Sequence, residues 1–196
     1  NNMNLKNVLA FALIALAFAS CGNKKNQVSL ASYADTANYF AGKIADLEAK
    51  QQQSMDDMDL FLQLSESATV ERQKANEVLT QMFSKESDTL FLPFEQTKNL
   101  DKIEILSVWV TAMEFDKVLI EARVKAVDNS SFMGPHAGLV VKDRKNEELE
   151  VGGGIQGPTD DKLEAGNVYT FSGKIEHLHL LSQFRMLMFN EDIKKW

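Results

Sequence analysis

The residues best equipped for chemistry are the three histidines. His177-Leu178-His179 sets two imidazoles two residues apart. On a strand such residues share a face, so both rings could meet one zinc ion. A third ligand would have to come from His136 or Glu176 through folding. The same stretch also fits a solvent-facing strand with Leu178 and Leu180 turned inward, which needs no metal. The expectation is therefore no metal and no cofactor, with His177, His179 and His136 as the residues from which a zinc centre would be built. Gly152-Gly153-Gly154-Ile155-Gln156-Gly157-Pro158 has the glycine content of a phosphate loop. Pro158, Thr159 and two acids follow, however, where a Lys and a Ser or Thr at a helix start are required. A flexible loop is expected instead. Asp160-Asp161 lack the alternating acid array and closing Glu of a calcium loop. No serine stands in a hydrolase-like elbow, so no enzyme is expected. Trp109 is the remaining candidate. If Val108 and Val110 face a core, Trp109 points the other way, toward a ligand or partner surface. The competing and favoured expectation is that a helical layer covers that face.

The elements that would position these residues divide the chain in two. From Leu30 to about residue 87 the apolar residues fall at helical spacing. Tyr33, Ala37, Phe40, Ile44 and Leu47 form one stripe, with Gly42 inside it. Ser54 and Asp57 resemble a capping box before a short piece, Met55 to Leu64, whose alternation would equally suit a strand. A third helix is expected from Thr69, with Ala75, Val78, Leu79, Met82 and Phe83 on its inner face. From residue 88 the pattern is strands and turns. Thr89–Leu92 precedes Pro93 as an edge strand. Val118, Ile120, Ala122, Val124 and Ala126 alternate cleanly with charged residues. Gly138–Lys142 and Leu149–Val151 flank a hairpin loop at Asp143–Glu148, and Val168–Ile175 and Phe184–Phe189 complete about seven strands. The fold class is α+β: a helical region of two to three helices at 30–87, then an antiparallel immunoglobulin-like β-sandwich at 88–196.

The first 20 residues read as a secretory signal. Lys6 precedes an unbroken apolar run from Val8 to Ala19, and Phe18-Ala19-Ser20 leads into Cys21. The run is too short to span a bilayer, which takes about 20 apolar residues. With a cysteine at the cut, the segment resembles a bacterial lipoprotein signal, with Phe18 where Leu is usual. The resemblance implies that Cys21 is acylated and becomes the N-terminus, followed by a tether at 21–29. Among Bacteroidota lipoproteins, surface-exported members resemble one another in an acidic cluster after that cysteine. Here Lys24 and Lys25 stand there instead, which implies an outer-membrane protein facing the periplasm. Removing residues 1–20 takes away Lys6 and no acid, so the net charge of −7 becomes −8. That balance excludes a nucleic-acid partner, which would need a basic surface.

Leu163-Glu164-Ala165-Gly166-Asn167-Val168-Tyr169 puts a Leu six residues before a strand-opening Tyr. It is similar to the corner of immunoglobulin-like and telokin-like domains, where the Tyr hydroxyl ties back onto the preceding turn. The resemblance covers the last hundred residues and lacks the cysteine pair of immunoglobulin cores. A stable platform with exposed loops suits a non-enzymatic binding or scaffolding role at the envelope, through the sandwich loops or the helical face, with an envelope protein or a glycan as partner and the membrane held through the lipid. The alternatives are a metal-binding protein or zinc enzyme centred on His177 and His179, and a structural adhesin subunit.

Overall fold

The computed structural model describes residues 29–84, 89–129, 136–158 and 162–191. Cys21, with the lipidation expected there, and Asp160 and Asp161 lie outside them.

Among the described residues two helices come first, α1 (Leu30–Gln53) and α2 (Met58–Ser84). In the expected α1 stripe, Tyr33, Ala37, Phe40 and Ile44 are buried. The expected short piece and third helix are one helix: the Met58–Leu64 alternation is overridden by helical continuation through Ala68 to Leu79. Ser54 ends α1 rather than capping α2. The cap is Asp57, whose Oδ1 accepts the Leu60 N–H at 3.1 Å.

Among the described residues eight strands follow: β1 (Phe94–Gln96), β2 (Ile103–Met113), β3 (Lys117–Ala126), β4 (His136–Asp143), β5 (Glu148–Leu149), β6 (Gly153–Gln156), β7 (Val168–Glu176) and β8 (Phe184–Asn190). A 3-10 helix, Leu178–Gln183, joins β7 to β8. The α+β class stands, but the pairing does not divide into the two sheets of a sandwich. One path runs β1-β8-β4-β6-β7-β3-β2, with β5 attached to β4. All pairs are antiparallel except β1 with β8.

The two ends of that path meet. Leu92 N–H donates to the Val108 carbonyl and Val110 N–H to the Leu90 carbonyl, both at 2.9 Å, which pairs residues 90–92 with β2. Pro93 has no N–H to give, and past it the chain switches neighbour to β8. The remaining gap is filled by the Gln96 side chain. Its Nε2 donates to the Leu100 and Ile103 carbonyls at 2.6 Å each, and its Oε1 accepts the Ile105 N–H at 2.9 Å. The result is a nearly closed barrel.

Two details explain why sandwich-like alternation gives a barrel. β2 shifts register between Ile105 and Ser107 and again between Val110 and Ala112. Such bulges bend the strand and change its inward phase, so Leu106 is exposed while Ile105 and Val108 are buried. The glycine segment is β6, a paired strand and not the expected loop. A Cβ on Gly173 of β7 would lie 1.9 Å from the Gly154 carbonyl oxygen of β6, so the two backbones approach more closely than any side chain allows.

The helices and barrel share a core. Leu30, Tyr33, Ala34, Ala37 and Leu79 belong to one buried cluster with barrel residues such as Ile120 and Phe171, and with Leu178 and Leu181 of the 3-10 helix. The helical and strand regions thus differ in secondary structure but contribute to one buried cluster. Farther from the barrel the two helices meet through buried Phe40, Ile44 and Ala68 and through the ion pairs of Arg72 with Glu48 and of Glu71 with Lys43, Glu71 also pairing with Lys74 along α2. The expected tyrosine tie is present, with Glu164 N–H donating to the Tyr169 hydroxyl at 2.8 Å.

Candidate binding face

The histidines do not come together as a metal set. β7 ends at Glu176, and His177 takes a left-handed conformation (φ 58°) that turns the chain into the 3-10 helix. The strand expected through His177 and His179 is therefore absent. Burial follows a period of three, with Leu178 and Leu181 inside and Leu180 exposed. The two rings are 5.9 Å apart edge to face, and His179 stacks on Phe115 at 6.4 Å. Burial, reinforced by the neighbouring His177 and opposed by Asp116, holds the His179 pKa below the ordinary histidine value. Glu176 is taken up by Lys174, whose Nζ lies 2.5 Å away and keeps its carboxyl pKa low. His136 is remote: it pairs with Gln156, and Gln156 with Ser172, five residues before His177. Along a strand that is about 16 Å. Among the described residues no group of three His, Cys, Asp or Glu is arranged to hold a metal.

Trp109 has a different setting from the one expected. It points away from Val108 and Val110, which are buried. What it meets is Phe91, edge to face at 6.5 Å, and Phe91 is 61% exposed. The helices dock instead at the 3-10 helix and the β2–β3 turn, where Asn76 Oδ1 accepts the Phe115 N–H at 2.6 Å. A helical stripe has to be buried somewhere, and here it caps the barrel.

The strand register places Trp109 in a row. Phe91 pairs with Trp109, Trp109 with Glu121, Glu121 with Ser172, Ser172 with Gln156, and Gln156 with His136. Directly opposed residues share a face of a sheet, and neighbouring strands lie about 4.8 Å apart. All six side chains are at least partly exposed, whereas the adjacent row through Val108, Ala122 and Phe171 is buried. The outer wall therefore carries a transverse line of two rings, a carboxylate, a hydroxyl, an amide and an imidazole. Among the described residues no hydrogen bond or ion pair engages the side chains of Glu121, Ser172 or Gln156.

Phe91 was within reach of sequence reasoning: with Leu90 and Leu92 turned inward, it must face out. The rest of the row depends on register between strands distant in sequence, which no local pattern encodes. Among the described residues no helix is long and apolar enough to cross a membrane. Comparison with protein-family models, with curated proteins and with solved structures finds no match for this chain.

Proposed function

We propose that this protein is a lipid-anchored component of a bacterial cell envelope, held by acylated Cys21 and facing the periplasm. Its role is non-enzymatic binding or scaffolding. The observation that carries the binding role is the outward Phe91–Trp109 pair on a rigid barrel wall. Large aromatic side chains left open on a well-packed scaffold suit recognition, because burying them against a partner is favourable and orders little flexible chain. The anchor rests on the residue pattern around Cys21.

Two measurements test the reading. Cys21→Ala is expected to move the protein from the membrane to the soluble fraction, and mass spectrometry of the native protein should find the sulfur acylated. Trp109→Ala is expected to lower stability by about 1 kcal/mol, well short of the 3–5 kcal/mol of a core aromatic. A core-sized loss would make Trp109 a packing residue and remove the proposed surface.

A second reading, a metal-binding protein, has the 5.9 Å spacing of His177 and His179 in its favour. Stoichiometric zinc in purified protein, lost in His179→Ala, would replace the binding role with that one.

A further inference from the structure

We infer that the ligand of the Phe91–Trp109 wall is a neutral saccharide chain, lying across the strands from Phe91 toward Ser172 and Gln156. The inference rests on the binding role proposed above and names its ligand class. The row offers ring surface at one end and hydrogen-bonding groups of mixed sense along the rest: Glu121 accepts, while Ser172 and Gln156 both donate and accept. A sugar presents the complementary surface, with C–H faces that lie on aromatic rings and hydroxyls that both donate and accept around its edge.

Other ligand classes fit less well. A peptide added as a strand needs an open sheet edge, and beside Phe91 and Trp109 the Gln96 seam and the pairing of residues 90–92 fill that edge. A phosphate-bearing chain would place its charge over Glu121, in the middle of the row. An apolar protein patch would have to bury Glu121 and Gln156 without partners, at a cost of about 1–3 kcal/mol for each such group.

The test uses the full chain in detergent, followed by amide and indole NMR, with cellohexaose, chitohexaose and maltohexaose as probes up to about 10 mM. A saturable shift with at least one probe is expected at the Trp109 indole N–H and the Glu121 and Ser172 amides. Trp109→Ala should weaken it about tenfold or more, and Glu121→Gln more mildly. Leu62→Ser, on the helical hairpin, should leave it unchanged. Absence of a saturable shift with all three probes overturns the saccharide assignment, as does a shift that survives Trp109→Ala. A photocrosslinking residue in place of Phe91, activated in cells, separates this failure from that of the binding role. A glycan adduct supports the assignment. A polypeptide adduct overturns it and keeps the binding role, whereas no adduct together with no shift removes both.

Discussion

Gly42 and Gly173 are the same residue in two regions held by different physics. Around Gly42, in the helical hairpin, an added Cβ would meet nothing within 4 Å; at Gly173 it would strike the Gly154 backbone at 1.9 Å. The barrel and the docked ends of the helices form one dense core in which each position is fixed by several neighbours. The outer hairpin has Phe40, Ile44 and Ala68 inside and otherwise depends on exposed ion pairs, each worth about 0–1 kcal/mol. Met55, Met58 and Leu62 are left largely exposed at its tip. Stability is therefore graded along the molecule, high in the barrel and falling toward the tip.

The contrast can be broken by substitution, beginning with its sharpest point. Gly173→Ala should cost about 3 kcal/mol or more, because the clash is with backbone and cannot be relieved by a rotamer change. A urea midpoint close to that of the unaltered protein would mean that β6 and β7 can part without loss. Leu79→Ala, at the join of the regions, should cost about 3 kcal/mol, with helical and aromatic circular dichroism lost in one transition. Two separate transitions would show that the regions fold independently after all.

His179 lies on the 3-10 helix at the same join. Its folded pKa is depressed, so the folded protein holds the neutral ring while the unfolded chain takes up a proton near pH 6.5. The stabilisation is present above that pH and is lost progressively as pH falls toward the folded-state value. The urea midpoint should drop between pH 7.5 and 5.5 by less in His179→Gln than in the unaltered protein; an equal drop would remove the junction from the pH response. The smallest effect is a gain. Gly42→Ala should add about 0.5–1 kcal/mol, seen as a melting point a few degrees higher, since helix propensity improves and no atom is displaced. A loss instead would mean that the outer hairpin is more constrained than its surroundings indicate.

How far these features can be read from sequence follows the range of the interactions behind them. The α1 stripe, the long strand through Val118–Ala126 and the hairpin at Asp143–Glu148 are written in local periodicity and turn chemistry, and they form where expected. In that hairpin Asp143 Oδ1 accepts the Lys145 and Glu147 N–H groups at 2.8 Å each, a contact between near neighbours in sequence. The barrel, by contrast, depends on the two bulges of β2, on the close approach of Gly154 and Gly173, and on one glutamine bridging four to nine residues at a seam. None of these leaves a repeat in the sequence. His177 misled because a strand and a left-handed turn followed by a 3-10 helix begin with the same residues. Only the spacing of Leu178 and Leu181 separates them.

That glutamine has a further consequence. With two donors and one acceptor engaged, its amide imitates a peptide unit of a missing strand. Chain ends of a sheet are where fibres recruit their next molecule. Between β1 and β2 that margin is sealed by a side chain, which has no backbone of its own for another strand to extend.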